Sequence, residues 1–479
     1  MVCALPVRAT QVAGPSPLIF PCSRIADAES DPEQDIQGQL AAGLDHTEFV
    51  GMIAPRPVLI GAATRDFFPI EGTRKTFREL QQLYSKLGVS NRIKMVEFNH
   101  GHSYSRPLRE ASYAWFDQWL KGTENQAVEP EILTEKDALL QCTVTGQVVT
   151  SLGGKRVQDF NRAEAQVLLK ELEGRRRDPE FQRELAKKIR HCLGLASIAT
   201  VTSRRQPKLE ETEVNGLIYE KILLESEPGI VVPVRIIHPK IQSNRLPAVL
   251  ALRDRDGKQD RPSLMEGLAR AGRIVAVVDV RGFGETQSSH HVQNRRISYF
   301  DPRDGMDADF AYAALCLGRP LLGMRVWDAL QAVEYFRSRP DVDPKRVSIV
   351  GRGWSAVTAL FAASVNPEIS GVAVEEVPPS YGEIAQSEVY AQPVSLFLPG
   401  VLHEFDLPDV FAQISPRSLL VLNAVDALTK KMDLEELRKV LEPLSQRYKK
   451  EGASDALEVR VEAVDSSVER ILKHWVLQH

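Results

Sequence analysis

The stretch Asp343–Ala356, DPKRVSIVGRGWSA, decides how the rest of the chain is read. A turn-forming Asp-Pro opens it, and Val347–Val350 follows as a short apolar run. The run stops at Gly351-Arg352-Gly353, and apolar residues resume from Ala356. A brief apolar run that ends on glycines and passes directly into a longer apolar stretch marks a buried parallel strand feeding a helix.

Working outward, the same alternation recurs on both sides. Upstream, LIYEKILLES and IVVPVRIIHP suggest a hairpin across Glu227–Gly229. Pro247–Arg253 and Arg273–Gly282 read as strands separated by a helix at Ser263–Ala271, and Gly323–Arg337 reads as an amphipathic helix. Downstream, Gly371–Glu375 and Ser418–Ala424 are strands. A helix at Leu434–Glu451, a strand at Leu457–Ala463 and a last helix near Val468–Gln478 follow. Strands alternating with helices imply a parallel, doubly wound sheet.

A second such series lies near the start. Ile53–Ala63, Gly72–Leu87, Arg92–Phe98 and Arg106–Leu120 read as strand, helix, strand, helix. IAPRPVLIGAATRD (Ile53–Asp66) lines up with ISPRSLLVLNAVD (Ile414–Asp426) after one deletion, and Asp45 and Asp406 each lie eight residues before the shared Ile. The glycine stops Gly88 and Gly452 correspond too. An internal repeat is a statement about architecture: residues 36–121 match the last third of a domain at 205–479. Residues 1–35 are poorly defined, and 122–204 read as a linker with charged helices.

The segments VDVRGFGET (Val278–Thr286), GMRVWDALQAVEYF (Gly323–Phe336) and DPKRVSIVGRGWSA resemble the series leading to the nucleophile elbow of α/β-hydrolases, most closely the acetylxylan-esterase and dienelactone-hydrolase branch. The IAPRPVLI…Asp…His tail is similar to that branch as well. The resemblance implies an α/β-hydrolase fold, with one complete C-terminal domain and the C-terminal part of a preceding copy. It also implies a serine esterase that forms an acyl-enzyme, with small esters or acylated carbohydrates as substrates and no cofactor.

The elbow pattern is G-x-S-x-G, because the nucleophile sits on a tight strand-to-helix turn. By register Gly351 is the first small residue, Gly353 takes the nucleophile position and Ser355 the last small position, so this elbow has no attacking oxygen. A shifted register would make Ser355 the nucleophile. It would lengthen the strand and put Val357 where close packing wants glycine.

The triad partners follow the nucleophile in the order acid, then histidine. The resemblance places the acid at Asp66 and the imidazole at His102, within NHGHSYS. In the second copy Asp426 survives, but Ser467 aligns with His102. The degenerate site is therefore Gly353, Asp426 and Ser467. The bland readings are a loop-capping carboxylate for Asp66 and an exposed loop histidine for His102.

Other features favour structure over chemistry. Arg281-Gly282-Phe283-Gly284 lacks dinucleotide-loop spacing and reads as a turn. Arg253-Asp254-Arg255-Asp256-Gly257 stands where the loop contributing to the oxyanion site would be, and its charges suggest a solvated turn. His290-His291 has no carboxylate or cysteine at ligand spacing, so no metal is expected.

The 479 residues, 43% hydrophobic and 26% charged, suffice for full cores without staples. With 60 basic against 64 acidic residues the net charge is −4, which gives no field favouring nucleic acid or an anionic membrane. Five scattered cysteines without a CxxC pair argue against a zinc knuckle or a disulfide framework. Pro6, Arg8, Gln11, Pro15 and Pro17 interrupt every apolar run in the first twenty residues, so no signal peptide is expected and the chain as written reads as cytoplasmic. A start upstream of Met1 would leave secretion open.

Two functions remain. One is an acetylxylan-esterase-type hydrolase whose active copy is the N-terminal one, its serine lying upstream of Met1. The other is a pseudo-hydrolase that binds or scaffolds without turnover. The half domain, with an unpaired sheet edge, is expected to dock or self-associate.

Overall fold

A computed structural model describes residues 11–13, 36–66, 68, 70–124, 126–195, 204–205, 209–240, 244–255, 261–287 and 306–479. Most of the ill-defined 1–35 segment lies outside them, as do Cys3, Cys22, Asp256, Gly257 and His290-His291. Among the described residues no helix is long and apolar enough to cross a membrane, and no group of His, Cys, Asp and Glu could hold a metal ion.

The chain forms two compact units, one from described residues within 1–153 and 306–318, the other from 154–287 and 319–479. The first holds a three-stranded parallel sheet: β1 (Gln11–Ala13), β2 (Val58–Ala63) and β3 (Ile93–Phe98), in the order β1-β2-β3. β1 had no signal in the sequence, because three residues show no periodicity. Every residue of β2 is buried, as the apolar run anticipates. The helix Ile70–Lys86 packs Leu80 and Tyr84, both fully buried, beside Val58 and Ile60. The helix Met306–Cys316 belongs to this unit although residues 154–287 and 319–479 on either side of it belong to the other. Gly38 N–H and Leu40 N–H donate to the carbonyls of Leu315 and Cys316 (2.8 and 3.0 Å), and Cys316 packs with Phe68.

The second unit is built on ten strands: β4 (Arg204–Arg205), β5 (Glu210–Val214), β6 (Leu217–Glu227), β7 (Ile230–Pro239), β8 (Leu246–Leu252), β9 (Ile274–Val278), β10 (Val342–Arg352), β11 (Gly371–Glu375), β12 (Ser418–Leu422) and β13 (Leu457–Arg460). Their order is β13-β12-β11-β10-β8-β9-β7-β6-β4, with β5 on β6. β6 and β7 form the anticipated hairpin and β7 meets β9 antiparallel, while β8 to β13 are parallel throughout. Counted from β6, the strand order is 1-2-4-3-5-6-7-8. This is the α/β-hydrolase fold, and it puts β10 at the middle, where the elbow belongs.

The charged segment read as linker contributes to this unit's core. The helices Val157–Arg175 and Pro179–Cys192 bury Leu172, Leu185 and Ile189 completely, and the unit begins at Gly154. Spaced apolar positions among many charges produce one buried face, which charge density hides from a composition reading.

Local architecture recurs between the two units. Asp45 and Asp406 both cap short helices through capping boxes, and each Oδ1 accepts from the next N–H at 2.7 Å. Tyr84 and Tyr448 are both buried, and their hydroxyls donate to the carbonyls of Arg56 (2.8 Å) and Arg417 (2.7 Å).

Candidate active site

Parallel sheets gather chemistry at the carboxyl ends of their strands. In the first unit those ends bring Asp66 and His102 together. Thr64 N–H donates to Phe98 O (2.9 Å) and Arg65 N–H to His100 O (3.1 Å), which ties the exit of β2 to the exit of β3. Asp66 then faces the loop 99–105, and His102 Nδ1 lies 3.0 and 3.1 Å from its two carboxylate oxygens. The carboxylate is nearly buried while the imidazole is 45% exposed. Asp66 Oδ1 also accepts from Phe68 N–H at 3.3 Å. A carboxylate on Nδ1 selects the tautomer protonated there and leaves Nε2 as the basic atom. That is the arrangement in which a histidine takes a proton from a hydroxyl. The neighbouring His100 is engaged differently, with its Nδ1 2.8 Å from Ser103 Oγ.

In the second unit β10 ends at Arg352 and the helix Trp354–Val365 starts two residues later. Gly353 between them has φ 56° and ψ −122°, a positive-φ conformation that a glycine adopts without the strain a side chain would bring. Gly351 lets the helix cross close behind the strand: a Cβ there would stand 2.4 Å from Ser355 O and 2.7 Å from the Ala356 Cα. Gly353 is therefore the elbow tip. Ser355 lies inside the helix and is fully buried. Its Oγ sits 2.9 and 3.0 Å from the carbonyls of Arg352 and Leu252 and accepts from Arg352 N–H at 3.1 Å. No approach to a substrate carbonyl is open to it, so the shifted register has no support in the geometry.

Among the described residues Asp426 meets no imidazole. Its Oδ1 accepts from Leu428 N–H and Lys430 N–H, both at 2.9 Å, and closes its own turn. Ser467, expected in the loop after β13, lies in the first turn of the helix Asp465–Gln478. The helix starts sooner after β13 than Arg106–Phe116 does after β3, so the loop that carries His102 has no room here.

Of two loop readings, one stands and the other changes. Arg281-Gly282-Phe283-Gly284 is a turn, and it is held by a buried ion network: the Arg281 guanidinium reaches Asp328 at 2.6 and 2.8 Å and Glu227 at 2.7 Å. Asp254, read as part of a solvated turn, is buried at 8% exposure, and its carboxylate reaches the elbow. Only the fold brings the ends of β8 and β10 together, and no local pattern announces that contact.

Residues 195–379 match the family model for acetyl xylan esterase (AXE1). A curated relative from Bacillus subtilis (strain 168), "Putative hydrolase YtaP", is 25% identical over 284 residues, spanning 56% of this chain and 88% of its own. Similar solved structures include a glucuronoyl esterase from Solibacter usitatus (13% identity, 62% of this chain and 91% of that one, TM-score 0.44). Another is an acetyl xylan esterase from Paenibacillus sp. R4 (14% identity, 61% and 93%, TM-score 0.41).

Proposed function

We propose that this chain, an α/β-hydrolase-superfamily protein similar to the acetyl xylan esterases and so to carboxylic-ester hydrolases, serves hydrolysis of small acyl esters of carbohydrates. In this reading Asp66 and His102 are the acid and base, and the C-terminal domain is non-catalytic. The observation that carries it is the 3.0 Å approach of Asp66 to His102 Nδ1 at the carboxyl ends of β2 and β3. His102 Nε2 would take the proton of a serine hydroxyl as it attacks the ester carbonyl. The same nitrogen would return the proton to the leaving alcohol, and water would then release the acid from the acyl-enzyme.

The two stretches 45–116 and 406–478 are inferred to be copies of one tail, the part of an α/β-hydrolase that supplies acid and base but not the nucleophile. The reading therefore requires a serine on an elbow strand beside β1, as β10 stands beside β11 in the C-terminal sheet.

A second reading, a binding module without turnover, is favoured by Gly353 and by Asp426 capping its own turn. Hydrolysis of p-nitrophenyl acetate and of acetylated xylo-oligosaccharides separates the two, assayed on the chain joined to an upstream segment that carries the elbow serine. The esterase reading expects a rate that His102→Ala removes and Ser355→Ala leaves alone. No rate above buffer, with saturable binding of the oligosaccharide, would replace it with the second reading.

A further inference from the structure

An α/β-hydrolase stabilises the tetrahedral intermediate with the N–H of the residue after the nucleophile and an N–H from the loop after the third strand. In the C-terminal domain those places are Trp354 N–H and the loop that follows β8. The carboxylate of Asp254, from that loop, occupies the oxyanion position itself. Its Oδ1 accepts from Trp354 N–H at 3.1 Å and lies 3.4 Å from Ser355 N–H. Its Oδ2 lies 2.5 Å from where a Cβ on residue 353 would stand, inside any allowed contact. A nucleophile side chain at the elbow would require this carboxylate to move from where it sits. The Trp354 ring extends the cover, with the Arg255 guanidinium 4.9 Å from its centre and Phe283 6.2 Å away.

We propose that Asp254 is a built-in anion that closes the elbow of the C-terminal domain, and that Gly353 is the space it fits. The cradle is one for a small carboxylate, and the chain's own side chain fills it. The physical case is direct. The first N–H groups of the helix Trp354–Val365 have no partner within the helix, and a negative charge at that end is favoured by the helix dipole. A buried carboxylate in turn needs donors. The pairing satisfies both at once and excludes the acyl group of a substrate from the same donors.

The inference rests on residues 351–355 being an elbow, and it is silent on which half of the chain turns over. Its failure and that of the esterase reading are therefore distinguishable. Thermal unfolding of the full chain is measured for Gly353→Ala, Asp254→Gly and the double variant. Because residues in contact are non-additive, the loss in melting temperature caused by Gly353→Ala should be smaller in the Asp254→Gly background, what remains there being the backbone strain of a side chain at φ 56°. Asp254→Gly should also be raised by formate at about 0.1 M, beyond chloride at equal ionic strength, because a ligand that binds only the folded state stabilises it. The native chain should not respond. Additive losses, or formate acting no better than chloride, overturn the proposal. Should Asp254→Gly not fold unaided, its refolded yield with formate against chloride reads the same prediction: selective recovery supports it, and equal recovery overturns it.

Discussion

Asp66 and Asp426 both leave a buried parallel strand and both precede a helix, a glycine stop and another strand, yet one faces an imidazole and the other faces its own backbone. The scaffolds beneath them agree in their capping boxes and buried tyrosines. The difference lies in the next crossing, where residues 99–105 reach back to the acid while 461–464 run straight into a helix. An acid at the end of a strand is thus a structural position first. It gains chemistry only when a later loop is long enough to bring a base to it, and without one the same carboxylate closes a turn.

That comparison can be broken most severely in the cores. Leu80 and Leu444, fully buried, stand the same distance before Gly88 and Gly452. Truncating either to Ala should cost about 2–5 kcal/mol. Hydrogen exchange should localise the damage, with Leu80→Ala raising exchange in 36–124 and 306–318, and Leu444→Ala raising it in the C-terminal sheet. Exchange that spreads equally from both variants would mean the chain opens as one cooperative body, and the two-unit comparison would lose its basis.

The tyrosines offer a finer test. Tyr84→Phe and Tyr448→Phe each remove one hydroxyl from a backbone carbonyl, worth about 0.5–1.5 kcal/mol, with the orphaned acceptor adding to the loss. Chemical denaturation should find the two costs alike. A cost at one position and none at the other would make the likeness one of shape only.

The smallest effect concerns a carboxyl that the first unit does not match. Burial, reinforced by Glu436, Asp406 and Asp426, pushes Glu383 from its usual 4.5 up to about 7. A raised carboxyl favours the protonated folded state, so its contribution is complete below the unfolded value and is lost as pH rises through about 7. Glu383→Gln should flatten the melting-temperature profile between those values. An unchanged profile would remove Glu383 from the account.

Much of this arrangement was legible in the amino-acid order. Parallel strands buried on both faces leave apolar runs, so β2, β8, β9, β11 and β12 announced themselves, and the resemblance to esterases named Asp66 and His102, which lie within hydrogen-bond distance. Features that depend on distant partners were not legible. Arg253-Asp254-Arg255 looks like surface until β8 and β10 are laid side by side and Asp254 meets Trp354 N–H. The helices 157–192 look like a charged spacer until Leu172, Leu185 and Ile189 find the core. Ser467 was assigned to a loop because the short β13 exit gave no signal that a helix starts at Asp465.

The most direct test of the central claim compares the two acids in one assay. Specific activity on an acetyl ester is measured, in the chain joined to an upstream segment that carries the elbow serine, for the native residues, Asp66→Asn and Asp426→Asn under identical conditions. The account predicts that Asp66→Asn loses activity on the order of 10³–10⁴-fold, because an amide on Nδ1 holds the wrong tautomer, while Asp426→Asn stays within about twofold of native. Equal losses, or a loss confined to Asp426→Asn, would contradict it and move the chemistry to the C-terminal domain.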